Sequence, residues 1–153
     1  MKDSISPLDG RYSSYVEELL PYFSEKALMR YRVMIEIEYL IALSKEKKFD
    51  GLPKFTKKQE ASYRNIYLKF NSISADKIKK IERQTNHDVK AVEYYIRSKV
   101  NKSIHPWVHF ALTSEDVNNL SYTLMWKDAL NKIYTPQLKS LQSELNLLSR
   151  KYS

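Results

Sequence analysis

Residues 135–152 read Thr-Pro-Gln-Leu-Lys-Ser-Leu-Gln-Ser-Glu-Leu-Asn-Leu-Leu-Ser-Arg-Lys-Tyr, and their apolar spacing decides the fold class. Leu138, Leu141, Leu145, Leu148 and Tyr152 recur at alternating intervals of three and four residues. This is the seam of helices that pack side by side at shallow angles. Upstream the pattern continues through Val117, Leu120 and Leu124. Pro136 is the expected kink, because proline lacks a backbone donor and crowds the preceding turn. From Glu115 onward this predicts roughly 40 helical residues, or about 55–60 Å of helix. A seam of that length needs partner helices that the preceding sequence does not obviously supply, and the pattern still runs at Ser153. The sequence is therefore read as an all-α chain cut within a larger helical-bundle protein.

Thr113 and Asp116 form a capping-box pair that opens this long helix. The hydroxyls of Thr113 and Ser114, next to free backbone N–H groups, suit a carboxylate ligand, although an ordinary cap has the same pattern. A second dense stretch is Thr85-Asn86-His87-Asp88-Val89-Lys90-Ala91-Val92-Glu93-Tyr94-Tyr95-Ile96. Val89, Val92, Ile96 and Val100 share one helical face, with Thr85 or Asn86 as the expected cap. His87 then stands at a helix N-terminus, where the dipole favours an anion and an imidazole can donate a hydrogen bond or move a proton. A capped helix with a surface histidine is the plainer reading of these residues alone.

Working toward the N-terminus, Ser74 opens a helix over 75–84 with Ile78 and Ile81 inward and Lys77, Lys79, Lys80 and Arg83 outward. No aromatic stacking platform is interleaved with these cations, so a solvated face is preferred to a nucleic-acid grip. Thr56 and Gln59 box the start of a helix to about Phe70, with Tyr63, Ile66, Tyr67 and Phe70 toward the core. Lys45 to Lys58, with Gly51 and Pro53, is a connector. Ser24 caps a helix to about Ser44 whose expected buried stripe is Leu28, Tyr31, Ile35, Tyr39 and Ala42. Residues 5–12 form an irregular arm with an Asp9-Gly10 turn. Arg11 beside Tyr12 pairs a guanidinium with a phenol able to clamp phosphate or carboxylate, though a surface Arg beside a packed Tyr gives the same dipeptide. His105 and His109 stand four apart, but Pro106 intervenes, no carboxylate lies close by in sequence and the chain has no cysteine. Zinc is therefore disfavoured and no metal is expected.

At 153 residues, 42% of them hydrophobic, the chain can bury its own core. Its 26 Lys and Arg against 18 Asp and Glu give a net charge of +8, which favours anionic partners without choosing among them. The missing cysteines exclude disulfides and thiol nucleophiles and suit a reducing cytosol. With only Gly10 and Gly51, a glycine-rich phosphate loop is excluded. No leader-like apolar region and no run of ~20 apolar residues occurs, so a cytoplasmic protein with no membrane association is expected.

Three segments together resemble the adenylosuccinate lyase family of the fumarase and aspartase superfamily. They are Ser-Pro-Leu-Asp-Gly-Arg-Tyr at 6–12, Glu-Arg-Gln-Thr-Asn-His-Asp-Val-Lys-Ala-Val-Glu-Tyr at 82–94 and His-Phe-Ala-Leu-Thr-Ser-Glu-Asp-Val-Asn-Asn-Leu at 109–120. The first fits the longer subtype of the family. The resemblance implies an N-terminal helical domain over 1–112 and entry into a central helical bundle over 113–153, assembling as a homotetramer. It implies cleavage of adenylosuccinate to AMP and fumarate, and of SAICAR to AICAR and fumarate, with no cofactor and no nucleic-acid partner. Substrate-binding roles carry over to Arg11 and Tyr12 on the nucleotide, to Asn86, His87 and Asp88 along the substrate, and to Thr113 and Ser114 at the succinyl or fumarate end. Phosphate as the partner of Arg11 is a physical expectation from its charge. The family's general acid lies in a Thr-His-Gly-Gln-type segment and its base in a Ser-Ser-x-Met-Pro loop, and neither occurs here. His87 is thus expected to be the one histidine placed to assist chemistry, in an auxiliary role, and the 153 residues alone are expected to be inactive. Argininosuccinate lyase, another member of the superfamily, is disfavoured by the 82–94 segment. A basic helical adaptor for nucleic acid is the alternative of a different kind.

Overall fold

The computed structural model describes residues 6–47, 49 and 51–152. Ile5 of the expected arm, Lys48 and Asp50 of the expected connector, and Ser153 lie outside the described residues. Among the described residues all regular structure is helical. The helices are α1 (Leu20–Phe23), α2 (Glu25–Leu43), α3 (Lys57–Leu68), α4 (Ser72–Thr85), α5 (Asp88–Arg97), α6 (Ser114–Ala129) and α7 (Thr135–Tyr152). Both expected capping boxes form, Thr56 with Gln59 and Thr113 with Asp116, and Ser24 caps α2 by accepting from the Ala27 amide. The cap of α4 is Asn71 rather than Ser74, which places the helix start one turn earlier than expected.

Helix α2 is the axis of the fold, with α1, α3, α4, α5 and α6 packed around it. The expected single stripe is therefore wrong. Of its members Tyr31 is buried, Leu28, Ile35 and Tyr39 are half-buried, and Ala42 is exposed. The buried set is instead Ala27, Met29, Tyr31, Arg32, Val33, Glu36, Ile37, Leu40 and Ile41, because neighbours on several sides spread burial around the helix. Val33 and Ile37 meet Ile78 of α4 and Val92 and Ile96 of α5 in one core cluster. A fully buried side chain of this size contributes about 1.5–3 kcal/mol.

Polar ties fix the helices around this axis. Arg64 of α3 donates through two nitrogens to the two oxygens of Glu38, at 2.8 and 2.9 Å, and the Tyr67 hydroxyl donates to the same carboxylate at 2.7 Å. Tyr31 donates to Asp128 of α6 at 2.7 Å, and burial followed by this bond pushes the Tyr31 hydroxyl up to about 12. Gly51 permits a close approach: a Cβ there would lie 2.4 Å from the Trp107 ring. Trp107 consequently seats against Phe49 and Phe110, with centroids 5.0 and 5.2 Å away.

The long C-terminal run forms as expected from Ser114 to Tyr152. Its expected distortion is a wider, π-type turn at Leu130–Tyr134, just ahead of Pro136, whose missing N–H cannot bond back into that segment. No residue of α7 is buried. Leu138, Leu141, Leu145 and Leu148 are each about half exposed and Tyr152 is 77% exposed, so the seam faces away from the core.

Candidate functional site

A cleft of about 530 Å³ opens where the start of α5, the end of α4 and the start of α6 converge. Thr85, His87, Lys90, Tyr94, His109 and Ser114 line it. Two segments separated in sequence, 85–94 and 109–114, thereby come together. Thr85 and Asn86 do not cap α5. Asn86 instead ends α4 in the left-handed conformation, with φ 50° and ψ 34°, a geometry that asparagine tolerates. The resulting reversal makes His87 the cap: its Nδ1 accepts from the Lys90 amide at 3.2 Å. Because Nδ1 supplies the lone pair, the neutral ring carries its proton on Nε2.

Asp88 is held from below. Its Oδ2 is 2.7 Å from the Arg32 guanidinium and its Oδ1 accepts from the Val89 amide at 2.8 Å. Burial works against the charged form, but the amide and Arg32 together hold the carboxyl below its usual range. Arg32, buried within α2, also donates through Nε to Asn118 of α6 at 2.9 Å. One guanidinium thus joins α2, α5 and α6 beneath the cleft.

His109 was not expected at the site, and the fold brings it there. The segment after Trp107 turns through two left-handed residues, His109 at φ 64° and Ala111 at φ 55°. Buried Val108 and the Trp107–Phe110 contact anchor this turn. His109 Nδ1 lies 2.5 Å from Oε1 of Glu36, whose side chain is wholly buried in α2. The bond to Glu36 raises His109 above the ordinary histidine value. Burial opposes it, and the charges of Glu36 and Glu93 outweigh that of Lys90. His105 points elsewhere, with its Nε2 3.3 Å from the Val100 carbonyl. His109 therefore lines the cleft beside His87. Its sequence signals were its place at the head of the 109–120 segment and the aromatic-rich connector just ahead of a capping box.

Arg11 and Tyr12 are not among the residues that line the cleft. They stack on each other, 5.5 Å from guanidinium to ring, on an arm whose Leu8 and Asp9 border a second cavity against Trp126. Trp126 lies about three turns beyond Ser114 along α6. Among the described residues, no group of three or more carboxylates and histidines gathers as a metal site, and no helix is long and apolar enough to cross a membrane.

A family model described as Lyase matches residues 10–153. The chain belongs to this lyase family. Relatives similar to the lyase chain include an adenylosuccinate lyase of Legionella pneumophila (strain Corby), 40% identical over an alignment 156 positions long that covers 99% of this chain and 34% of the relative. An adenylosuccinate lyase of Dictyostelium discoideum is 45% identical over 143 residues, 89% of this chain and 31% of the relative. That of Haemophilus influenzae is 40% identical over an alignment 154 positions long that covers 97% of this chain and 34% of the relative. The chain spans about a third of the length of these curated relatives.

The buried pair makes the stability of the lyase chain depend on pH. His109 titrates higher folded than its unfolded value near 6.5, so its stabilising contribution is full below that value and is lost as pH rises through the folded one. The thermal midpoint should therefore fall as pH is raised from 6.5, and fall less in Glu36→Gln. Parallel curves for the two proteins in calorimetry would contradict this.

Proposed function

We propose that this chain is part of an adenylosuccinate lyase that cleaves adenylosuccinate to AMP and fumarate, and SAICAR to AICAR and fumarate. In this β-elimination a base removes a proton from the carbon next to a succinyl carboxylate. The electron pair forms the fumarate double bond, the carbon–nitrogen bond breaks, and an acid protonates the departing nitrogen. The observation that carries the reading is the cleft, where His87, Lys90 and Ser114 from two separated segments offer hydrogen-bond donors and positive charge to an anionic ligand, beside the imidazole of His109.

In this reading Ser114, the first residue of α6, holds a carboxylate of the succinyl end, Thr113, whose N–H and hydroxyl both donate to Asp116, shapes that helix start, and His87 donates to the substrate through Nε2. Asn86 shapes the turn that presents His87, and Asp88 fixes it through Arg32. Arg11 and Tyr12 serve the nucleotide end of this elongated ligand, outside the cleft. Residues 1–112 act as a first helical domain and 113–153 as the entry into a central bundle, whose seam on α7 is covered in a cytoplasmic homotetramer. The proton-transfer groups lie in segments this chain does not contain, so the 153 residues bind without turnover. Isothermal titration with AMP and adenylosuccinate, and an absorbance assay for fumarate, test this. Fumarate release by the 153-residue chain would overturn its inactivity, and duplex DNA binding in place of nucleotide binding would overturn the lyase reading.

A further inference from the structure

The two cleft histidines are anchored by the same ring atom but by opposite kinds of partner. Nδ1 of His87 faces a donor, the Lys90 amide at 3.2 Å. Nδ1 of His109 faces an acceptor, the Glu36 carboxylate at 2.5 Å. A backbone N–H can only donate, so the proton of a neutral His87 sits on Nε2. A carboxylate oxygen accepts, so His109 keeps its proton on Nδ1 and its Nε2 carries the lone pair. We propose that Glu36 is a positioning residue that, with the Lys90 amide, sets the two histidines of one cleft in opposite tautomers, giving a ligand one Nε2–H donor and one Nε2 acceptor.

The surroundings of Glu36 support this role. Its side chain is wholly buried, and its second oxygen has no hydrogen-bond partner among the described residues, so the carboxylate acts through His109. Burying a carboxylate is costly without such a partner. A structural role alone does not require a partner that opens onto the cleft. The charged and titratable groups facing His109 are Glu36 from α2, Lys90 and Glu93 from α5, and Asp116 from α6. Glu93 is in turn paired with Lys90 at 2.8 Å and Arg97 at 2.6 Å, which leaves Glu36 as the nearest carboxylate acting on the ring. When His109 takes up a proton it becomes a donor at Nε2, and the cleft then offers two donors to an anionic oxygen. Glu36 thereby sets the pH at which the site changes from donor-plus-acceptor to donor-plus-donor.

The inference rests on the lyase reading for its ligand but not for its test. Selective 15N-histidine labelling and long-range 1H–15N correlation spectra report the tautomer and titration of each ring. The expected result is an Nε2–H signature for neutral His87, an Nδ1–H signature for His109, and a His109 midpoint above 6.5. In Glu36→Gln that midpoint should drop, with Glu36→Asp recovering part of the shift. Matching tautomers in the unsubstituted protein, or a His109 midpoint unmoved by Glu36→Gln, would overturn the proposal whatever the enzyme does. Opposite tautomers in a protein that neither binds nor cleaves adenylosuccinate would sink the lyase reading and leave this one standing.

Discussion

In the intact lyase, His87→Ala is expected to lower kcat by about 100- to 1,000-fold, the effect of removing one positioned hydrogen-bond donor, while His105→Ala stays within a few-fold of the parent. The contrast comes from placement. His87 lines the cleft with its Nε2 free of the cap, whereas His105 is bonded to the Val100 carbonyl and is absent from the cleft lining. His87 also caps α5, and losing a cap costs about 0.5–2 kcal/mol, so alanine removes two functions at once. His87→Asn separates them, because asparagine is a strong cap but has no imidazole. If chemistry dominates, the asparagine variant restores the melting temperature and leaves kcat low. Recovery of kcat with the cap, or equal losses at His87 and His105, would reduce His87 to a helix start. Steady-state kinetics beside thermal melts of the three variants decide the matter.

What the sequence discloses depends on how far apart the interacting residues stand. The boxes at Thr56–Gln59 and Thr113–Asp116 involve side chains one turn apart, so they are legible from spacing alone. The α7 seam is likewise a local periodicity, and its exposure follows from the lack of a partner within the preceding residues. The cap of α5 was misplaced because helix propensity cannot say that Asn86 adopts a left-handed conformation and shifts the start to Asp88. The stripe on α2 failed for another reason. Arg32 and Glu36 are polar residues that lie inside, because Asn118, Asp88 and His109 reach them from distant elements. With its buried polar positions paired across the fold, α2 does not show the single apolar face that periodicity seeks. His109 was passed over for the same cause, since its partner stands 73 residues earlier in the chain.

Arg32 carries the second large prediction, because one buried side chain closes the triangle of α2, α5 and α6. Arg32→Ala breaks the 2.7 Å pair with Asp88 and the 2.9 Å bond to Asn118 and empties the space of its aliphatic stem. Removing one partner of a fully buried ion pair costs about 3–5 kcal/mol, chiefly through the charge left behind. Asp88 is half exposed and water can reach it, so a loss of about 2–3 kcal/mol is expected here. Arg32→Lys should restore less than half of that. A lysine has no Nε–H set beside a second donor, and its single ammonium cannot span Asp88 and Asn118 as the planar guanidinium does. Urea denaturation reads both variants as shifts of the midpoint at constant slope. The effect also reaches the cleft, since Asp88 and Asn118 sit one residue from His87 and one turn beyond Ser114. Ligand affinity should therefore weaken in Arg32→Ala even well below its melting temperature. A variant that loses less than about 0.5 kcal/mol would show the triangle to be a surface ion pair in effect, of the kind that contributes little. The seating of His87 would then rest on the apolar contacts of Val89 and Val92 with the core.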